Sequence, residues 1–325
     1  MIITRSPIRL TFGGGGSDVI SYAQKFGGFC ISAAINKYVY IAINRTFQEG
    51  IFLKYSELEK IKTVDEIQHP ILKEAIKLLN FKTPQLEITS VADIPAGGGL
   101  GGSGSFSVAL LKALYLYRHI SMTPDQIAEL ACDININKLN FIQGKQDEYI
   151  SALGGIICLE FEKNGNVTHY PLKISHDTLV DLEENLLLFY TGINHNTTEN
   201  FKNQDKKLKL NDNDMISSFH EVKELGYKSK EALENGNLKD FALLMNEQWE
   251  NKRKRTIDSS NTFIEDVYYN ALKNGALGMK LIGSGNGGFF MGYSTNKNEL
   301  RSYMKTRGLE ELRFNFDFDG VKQIL

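Results

Sequence analysis

The pattern of hydrophobic and polar positions predicts short strands mixed with amphipathic helices in the first half of the chain. Ile8, Leu10 and Phe12 alternate with polar residues, as the residues of a half-buried strand do. Between residues 71 and 79, after a proline, the apolar positions recur at helical spacing. The predicted strands of this half are 8–12, one or two within 29–47, 51–55, 86–91, 156–161 and 167–172. Its predicted helices are 19–26, 71–79, 106–117 and 124–142.

The second half of the chain predicts a helix-rich unit with a few strands. The apolar run at 186–190 follows a charged segment and predicts a strand that opens a second domain. Because strands and helices do not alternate strictly, the pattern favours an α+β fold over a doubly wound sheet. The predicted domains are residues 1–184 and 185–325. Further helices are predicted at 214–234, 238–251, 263–274 and 297–307, and further strands at 289–293 and 312–318.

A glycine-rich segment at 95–108 follows the strand predicted at 86–91 and runs into the buried helix predicted at 106–117. Glycine lets the backbone approach a ligand closely and adopt positive φ. A helix N-terminus presents unpaired N–H groups and a partial positive charge. A glycine turn that ends at a helix N-terminus therefore predicts an anion site, for which the phosphates of a nucleotide are the best candidate.

The residues of this segment leave three interpretations open: a tight packing turn, a dinucleotide-binding fingerprint, or the phosphate loop of a kinase without a Walker motif. Gly97, Gly99 and Gly102 fit the dinucleotide pattern G-x-G-x-x-G. That pattern also needs a strand ending in an acidic residue about 20 positions further on, and Asp125 at that distance opens a capped helix instead. The Walker pattern is absent, because the Gly-Lys pair at 144–145 is followed by glutamine.

Composition narrows the classes of function. The 325 residues are 42% hydrophobic and 23% charged, as in an ordinary globular protein with two domains. A formal net charge of −2 gives no global field toward nucleic acid or an anionic membrane, so neither partner is expected. Cys30, Cys132 and Cys158 are isolated and predict small core residues instead of a disulfide framework. With no signal-peptide core and no long apolar run in the sequence, we expect a cytoplasmic protein.

Three glycine clusters occur in an order that resembles the GHMP kinase superfamily. Residues 9–18, RLTFGGGGSD, resemble the first motif of its sugar kinases, in which an arginine and an aspartate have the same separation. Residues 95–107 resemble the second motif, P-x-x-x-G-L-G-S-S-A, and residues 283–288 the third, G-x-G-x-G-G. Because these motifs span nearly the whole chain, the resemblance is specific at the level of the superfamily.

A fourth segment fits the same order. Asp147 is followed seven and eight positions later by Gly154 and Gly155, as in the catalytic segment of these kinases. Within the superfamily the local sequence is closest to the heptose 7-phosphate kinases. That likeness rests on the glycine run at 13–16, GKQD at 144–147, FYTG at 189–192 and KR at 252–253. The leading interpretation is therefore an ATP-dependent kinase acting on the anomeric hydroxyl of a heptose 7-phosphate.

The resemblance implies a two-domain GHMP kinase fold, with an N-terminal α/β domain like ribosomal protein S5 and a ferredoxin-like C-terminal α+β domain. It implies ATP as phosphate donor and Mg²⁺ as cofactor, because phosphoryl transfer needs the triphosphate held and its charge neutralised. Asp147 is expected to accept the acceptor's proton, with Arg9 paired to it. Ser103 is the expected hydroxyl ligand of Mg²⁺. The implied nucleotide-binding residues are Gly97, Gly98, Gly99, Leu100, Gly101, Gly102, Ser103, Gly104 and Ser105.

A phosphorylated sugar needs a local cationic pocket, because a chain of net charge −2 does not attract it globally. The best-placed cations are Lys252, Arg253 and Arg255 at the end of a predicted helix, with Lys145 nearer the chemistry. Asp18 is expected to accept hydrogen bonds from sugar hydroxyls, and the third motif to close over the substrate. The substrate-binding residues that the resemblance implies are Gly15, Gly16, Ser17, Asp18, Lys145, Lys252, Arg253, Gly285 and Gly287.

The chain departs from the superfamily pattern in two places. Gly102 and Gly104 replace a serine and an alanine of the second motif. The metal-binding glutamate that usually precedes the catalytic aspartate by about a dozen residues is here Asn135, a weaker ligand for Mg²⁺ than a carboxylate. Asp133, two residues earlier, points elsewhere on a helix. Asn135 is accordingly the expected, weaker second metal ligand.

Each assigned residue also has a purely structural interpretation. Asp18 or Asp147 could cap a helix, Lys145 could be solvated, and the basic run at 252–255 could only complement a helix dipole. Other functions also stay open: a kinase of fucose, galactose or mevalonate, a ligand-binding protein on this fold, and a dinucleotide-dependent oxidoreductase. A homodimer is compatible with the sequence.

Overall fold

The computed structural model describes residues 1–79, 85–95, 97–193, 198–255, 262–283 and 287–325. The strands in these ranges are β1 (Ile2–Gly13), β2 (Gly28–Arg45), β3 (Gly50–Lys54), β4 (Leu58–Ile61), β5 (Gln85–Ala92), β6 (Ile156–Phe161), β7 (Val167–Pro171), β8 (Leu186–Tyr190), β9 (Gly278–Leu281), β10 (Phe289–Tyr293), β11 (Glu310–Leu312) and β12 (Lys322–Gln323). The α-helices are α1 (Ile20–Phe26), α2 (Pro70–Leu78), α3 (Gly102–Tyr117), α4 (Pro124–Cys132), α5 (Gln146–Leu153), α6 (His176–Asn185), α7 (Thr198–Lys209), α8 (Asn213–Glu234), α9 (Leu238–Arg255), α10 (Thr262–Lys273) and α11 (Lys297–Thr306).

The described strands form two sheets. The first has the order β12-β1-β2-β5-β3-β4, and the long strand β2 also pairs over its first half with β6, which continues into β7. Its pairs are antiparallel except for β3 with β5. The second sheet, β11-β8-β10-β9, is antiparallel throughout. The predicted α+β class is confirmed, and β12 crosses back from the end of the chain to pair with β1.

The hydrophobic core is built in layers around the two sheets. One cluster lies between a face of the first sheet and helices α2 to α5, and includes Ile41, Leu110 and Ile150. The opposite face of that sheet carries Leu10 and packs toward the second sheet and α9. A further cluster lies between the second sheet and helices α10 and α11. The first sheet is therefore covered on both faces, and β1 lies near one of its edges, between the short β12 and the long β2.

A register shift in β1 decides which of its side chains face the helices. Before the shift between Pro7 and Ile8, Thr4 and Ser6 face α3 and α5, where Thr4 Oγ1 donates to the carbonyl of Ala109 at 2.8 Å. After the shift the odd-numbered Arg9 faces α5, and the even-numbered apolar residues point to the opposite core. Because strand side chains alternate, this irregularity is what turns an arginine toward α5.

Several predicted elements are wrong in extent. The helix predicted at 124–142 ends as α4 at Cys132 and continues as one π-helical stretch, Asp133–Lys138. Helices α5, α6 and α7 and strand β4 were not predicted from their mixed polar sequences. The strand predicted at 312–318 ends at Leu312, and Phe316 makes only an isolated bridge to Ile35. These elements depend on partners distant in sequence, which local periodicity does not register.

Candidate active site

Arg9 and Asp147 form a two-pronged ion pair at the floor of a cleft between the sheets. Arg9 Nε donates to Asp147 Oδ1 at 2.8 Å and Nη2 to Oδ2 at 3.1 Å. The third prong, Nη1, donates to the carbonyl of Gly99 at 2.7 Å. The arginine side chain is 10% exposed and the aspartate side chain 30%, so the carboxylate is the more accessible partner. Two charge-assisted hydrogen bonds of this kind hold a carboxylate in a fixed direction.

The glycine-rich turn before α3 packs directly on this ion pair. Gly101 has φ +76°, and a Cβ built there would lie 3.0 Å from Arg9 Cγ and 3.3 Å from Asp147 Oδ2. A Cβ on Gly104 would lie 2.7 Å from Asp147 Cβ, closer than real Cβ atoms approach. A Cβ on Gly102 would meet nothing within 4 Å. Close packing against Asp147 therefore leaves no room for a side chain at position 104. At position 102 there is room for one.

The second and third glycine clusters touch backbone to backbone. A Cβ on Gly283 would lie 2.7 Å from the Cα of Gly99, and one on Gly288 would lie 2.5 Å from the carbonyl oxygen of Gly98. Gly287 has positive φ but is not among the residues that line the cleft, and the predicted substrate residue Gly285 lies outside the described residues. The two domains therefore meet beside the turn that is predicted to hold phosphate.

Asp18 lies in the cleft and links the first motif to α5. It is buried, and its Oδ2 accepts a hydrogen bond from the backbone N–H of Gln146 at 3.1 Å. Val19, not Asp18, precedes α1, so Asp18 satisfies the N-terminus of α5 instead of capping the helix next to it. Burial and the nearby charge of Asp147 raise the pKa of Asp18 to about 6.

The remaining first-motif residues have different positions. Gly15 and Gly16 line the cleft. Ser17 is fully buried, and its Oγ donates to the carbonyl of Phe29 at 2.7 Å, so this predicted substrate residue is placed in the core instead. Gln146 adds two short hydrogen bonds, from Nε2 to the hydroxyls of Thr11 and Ser32, both at 2.6 Å.

A group of cations faces the same cleft from the second domain. Lys252 and Arg255 stand three positions apart on α9, so they share a helix face, and Lys280 enters from β9. Lys280 Nζ donates to the carbonyl of Phe12 at 2.9 Å and to Gln248 Oε1 at 2.6 Å. Lys252 Nζ donates to carbonyl oxygens at the end of β9. We call Lys252, Arg255 and Lys280 the cation group.

Arg255 is the member of the cation group with the least complete hydrogen bonding. Its side chain is buried, and its Nε has no hydrogen-bond partner within the part of the chain that the structure describes. The guanidinium lies 4.7 Å from the ring centroid of Phe219 and beside Gly16. A buried hydrogen-bond donor without a partner is uncommon in proteins. A bound anion would supply the missing hydrogen-bond acceptor.

Crowding of like charges changes the acidity of this group. Burial and the charges of Arg255 and Arg9 lower the pKa of Lys252 to about 7. Burial and the charges of Lys252 and Arg9 hold the pKa of Lys280 well below its usual range. Burial lowers the pKa of Arg255 to about 10, against the opposing effect of Glu221. An anion in the cleft would reverse these shifts, because it favours the charged forms.

Two predicted substrate residues lie outside the cleft. Arg253 Nη2 donates to Glu265 Oε1 at 2.5 Å, and its Nη1 donates to Glu250 and to the hydroxyl of Tyr269. Lys145 Nζ bonds both carboxylate oxygens of Glu129 at 2.8 Å and points away as well. Local carboxylates hold both side chains away from the cleft, so the geometry gives no support to their assignment to substrate, which stays a prediction.

Asn135, the predicted second metal ligand, is fully buried beside a carboxylate that the sequence did not single out. Its Nδ2 donates to Glu148 Oε1 at 2.7 Å, and Gln143 Nε2 donates to the same oxygen at 2.6 Å. Among the described residues, Glu148 Oε2 has no hydrogen-bond partner. Burial and the charge of Asp147 raise the pKa of Glu148 to about 7. Ser103, the other predicted ligand, is exposed at the start of α3.

The sequence carried signals that add Lys280 to the cleft and separate Lys252 and Arg255 from Arg253. Lys280 is a charged residue inside an apolar strand, which is unusual unless it has a partner or a ligand. Lys252 and Arg255 have the spacing of one helix face, whereas Arg253 does not share it. Glu148 adjoins Asp147 but resembles an ordinary solvated helix residue in the sequence alone. Cleft residues that sequence reasoning missed include Thr11, Gln143, Phe201, Gln204, Gln248 and Lys280.

The arrangement suits a reaction in which a hydroxyl is directed by a carboxylate while negatively charged groups of the reactants are held nearby. A carboxylate fixed by arginine can accept a proton or direct a hydroxyl. The turn before α3 packs against that carboxylate, and the cation group faces it from the other domain across the cleft. None of the helices among the described residues combines the length and apolarity that a bilayer span requires.

Two protein families match the chain. GHMP kinases N terminal domain matches residues 70–155, and GHMP kinases C terminal matches residues 229–308. The first range contains the turn before α3 and Asp147, and the second contains the cation group. Both matched ranges therefore contribute to the cleft.

Individual relatives agree with these families. A D-glycero-alpha-D-manno-heptose 7-phosphate kinase of Campylobacter jejuni is 29% identical over 335 residues, which cover 99% of this chain and 98% of that protein. A crystal structure of a D-glycero-D-manno-heptose 1-phosphate kinase from Bacteroides thetaiotaomicron has a TM-score of 0.81 and 26% identity, covering 100% of this chain and 99% of that one. A Lactococcus lactis galactokinase complexed with galactose has a TM-score of 0.76 at 15% identity, covers 99% of this chain and 94% of its own, and shows the fold alone.

Proposed function

The chain belongs to the GHMP kinase family and is an ATP-dependent small-molecule kinase, and from this premise we propose that it phosphorylates the anomeric hydroxyl of heptose 7-phosphate. The product would be the 1,7-bisphosphate. The observation that carries the proposal is the shared cleft, where the Arg9–Asp147 ion pair and the cation group face the same space. One end of that space suits a reacting hydroxyl and the other suits a phosphate already present on the sugar.

The transferring end is formed by the turn before α3 and the ion pair. The backbone of Gly97 to Gly101 and the N-terminus of α3 would hold the ATP phosphates. Asp147 would accept the proton of the acceptor hydroxyl or orient it for in-line attack. Arg9 would hold Asp147 in place and offset charge that develops in the transition state. In this scheme Asp147 is the base and Arg9 stabilises charge, so no further base is needed.

The sugar would lie against Gly15 and Gly16, where the absence of side chains leaves backbone exposed to the cleft. Asp18 would accept hydrogen bonds from ring hydroxyls through the carboxylate oxygen that Gln146 does not occupy. The charge-assisted form of such bonds is stronger than a bond between neutral groups. These contacts would place the anomeric oxygen toward Asp147.

The 7-phosphate would bind the cation group. Arg255 offers a buried Nε that has no hydrogen-bond partner among the described residues, and charge is added by Lys252 from the same helix and by Lys280 from β9. Arginine provides paired donors to a phosphate and lysine a point charge. Because the formal net charge of the whole chain is −2, this local group is what would favour a dianionic substrate over a neutral sugar.

The residues around the turn also fit a magnesium ion. Ser103 presents a hydroxyl at the start of α3, and Glu148 has a carboxylate oxygen without a partner in the described ranges. Oxygen ligands of this kind are those that Mg²⁺ prefers. When bound, Mg²⁺ neutralises charge on the ATP phosphates.

The test is ADP release with ATP and a panel of acceptors: heptose 7-phosphate, heptose 1-phosphate, the unphosphorylated heptose, fucose, galactose and mevalonate. The phosphorylated position is read by ³¹P NMR. The proposal expects heptose 7-phosphate to be used far better than the others and a new anomeric phosphate signal to appear. Including heptose 1-phosphate matters because the two heptose kinase relatives are named for different phosphates. Equal use of phosphorylated and free heptose would replace the proposal with a kinase of neutral sugars.

A further inference from the structure

The position at which the GHMP kinase resemblance places a metal-binding glutamate holds Asn135, which has no charge to offer a cation. The structure places a carboxylate immediately beside it. Glu148, thirteen positions further along the chain, accepts a hydrogen bond from Asn135 Nδ2 at 2.7 Å. The amide and the carboxylate therefore form one unit, although they lie on different helical segments.

The two oxygens of Glu148 have unequal surroundings. Oε1 receives two amide N–H groups, from Asn135 and from Gln143, at 2.7 and 2.6 Å. Oε2 receives none from the residues that the structure describes, although the whole side chain is 0% exposed. A buried carboxylate with one oxygen bare is costly unless a cation or a proton occupies that oxygen. The two amides also fix the orientation of the carboxylate.

The unit is connected to the turn that is proposed to hold phosphate. Ser107 Oγ lies 3.1 Å from Asn135 Nδ2 and also donates to the carbonyl of Ser103 at 3.1 Å. The backbone N of Glu148 would lie 3.1 Å from a Cβ on Gly104. The start of α3 and the start of α5 are thus in contact at this point, with Ser103 on one side and Glu148 on the other.

We propose that Glu148 provides the carboxylate ligand for the nucleotide-bound divalent cation, with Ser103 as hydroxyl ligand and Asn135 as the residue that positions Glu148. The inference rests on the proposed kinase function. It assigns the charge to position 148 and leaves position 135 as a hydrogen-bond donor. A second carboxylate at 135 would place two like charges within hydrogen-bond distance, which raises the cost of ionising either.

The test measures cation binding instead of turnover. Mn²⁺, a paramagnetic substitute for Mg²⁺, is titrated into the full chain with a non-hydrolysable ATP analogue, and the free Mn²⁺ signal is followed by electron paramagnetic resonance. Glu148→Gln should weaken Mn²⁺ binding by at least roughly 10–100-fold, the loss typical of residues that only orient metal ligands, because Glu148 is proposed to bind the cation directly. Nucleotide affinity measured without metal should change little. The double variant Asn135→Glu/Glu148→Gln retains one carboxylate in the unit and should regain most of the Mn²⁺ affinity.

Asp133→Asn is the matched control, because it removes a carboxylate two positions from Asn135 that accepts a hydrogen bond from Asn137 on the same helical segment. It should leave Mn²⁺ affinity unchanged. Unchanged Mn²⁺ affinity in a folded Glu148→Gln variant would overturn the inference and identify Glu148 as a buried neutral acid. If that variant does not fold, Glu148→Asp, which keeps the charge on a shorter side chain, serves instead and should also weaken Mn²⁺ binding; no weakening overturns the inference.

These measurements need no sugar, so the inference and the proposed function can fail separately. A cation site that behaves as expected in a protein that turns over none of the sugars would leave the inference standing and reject the function. Turnover of heptose 7-phosphate with unaltered cation binding in the Glu148 variants would support the function and reject the inference.

Discussion

At the scale of single residues, the cleft is defined by charges that are held out of water at fixed distances. Asp147 is fixed by two hydrogen bonds from Arg9, and Asp18 is fixed by the first N–H of α5. The cation group lies opposite. Interactions between such groups are stronger in a poorly solvated cleft than at the surface, so single substitutions should have large and separable effects.

Asp147→Asn should lower kcat by about 10²–10⁴-fold, the usual contribution of a positioned acid or base. The change preserves shape and one hydrogen-bonding oxygen for Arg9 but removes the proton acceptor. Nucleotide affinity, measured by titration, should stay nearly the same, because the proposed phosphate contacts come from backbone N–H groups and not from Asp147. A variant that keeps more than half of the kcat of the unmodified protein would exclude Asp147 as the catalytic carboxylate.

Arg255→Ala should reduce kcat/KM for heptose 7-phosphate by roughly 10–150-fold, which corresponds to the loss of a charge-assisted contact worth about 1.5–3 kcal/mol. Arg253→Ala is the matched control: it removes the same side chain two positions away, where it pairs with Glu250 and Glu265 outside the cleft. Steady-state kinetics with phosphorylated and free heptose compare the two. Equal losses in both variants would show that the effect is structural and not due to phosphate recognition.

The pH profile of kcat/KM should fall as pH rises through about 7. Burial, Arg255 and Arg9 lower the pKa of Lys252 to about 7, and Lys280 faces the same cleft. The free protein therefore loses this positive charge above neutrality, whereas dianion binding requires it. On the acid side kcat/KM should rise through about 6, where sugar phosphates gain their second charge and Asp18 ionises. Lys252→Arg should move the alkaline fall upward by more than one pH unit; an unmoved fall would exclude Lys252 as its origin.

At the scale of elements, the cleft depends on how closely the start of α3 packs against the start of α5. Gly104 permits this contact because a Cβ there would overlap Asp147 Cβ at 2.7 Å and approach Glu148 N at 3.1 Å. A Cβ at Gly102, the first residue of α3, would meet no atom within 4 Å. The two departures of the second motif therefore have different physical reasons.

Gly104→Ala should lower the free energy of unfolding by about 1–3 kcal/mol, the typical cost of overpacking. Gly102→Ala should leave that free energy unchanged or raise it slightly, because alanine is the better helix former and has room. Urea denaturation followed by circular dichroism checks both. Equal stability of the two variants would contradict the prediction, because the contact between position 104 and Asp147 would then not affect the free energy of unfolding.

At the scale of the whole molecule, the two domains meet where the second and third glycine clusters touch. The Cα of Gly99 and the backbone of Gly283 are close enough that a Cβ on Gly283 would lie 2.7 Å from that Cα. The Arg9 side chain bonds the carbonyl of the same Gly99. Movement between the domains would therefore change the position of the turn that we propose to bind phosphate.

Gly283→Ala should raise the KM for ATP by roughly 5–150-fold, if the turn relieves an overlap worth about 1–3 kcal/mol by moving away from its working position. Gly308→Ala is the control, because Gly308 has a similar φ of +75° but meets nothing within 4 Å. Both substitutions place alanine at a left-handed backbone position, but only the Cβ at position 283 would overlap the turn at Gly99. A similar KM for ATP in the two variants would contradict a domain contact that sets the turn.

The sequence by itself determined the local structure and the chemistry of the motifs. Alternation at Ile8, Leu10 and Phe12 predicted a strand, and a glycine turn before a buried helix predicted the anion site next to α3, because both depend on neighbours along the chain. The order of the motifs led to the family, which the comparisons confirm. The roles of Arg9, Asp147 and Ser103 remain predictions for the experiments above.

Only the tertiary structure decided which charged groups share the cleft. The phase of α9 turns Lys252 and Arg255 inward and Arg253 outward, and Lys280 joins them from a strand that begins more than twenty residues later. The bond from Gln146 to Asp18 and the unit of Asn135 with Glu148 join segments that lie 128 and 13 positions apart. Local pattern does not encode such distances, because they result from the packing of whole helices and sheets against one another.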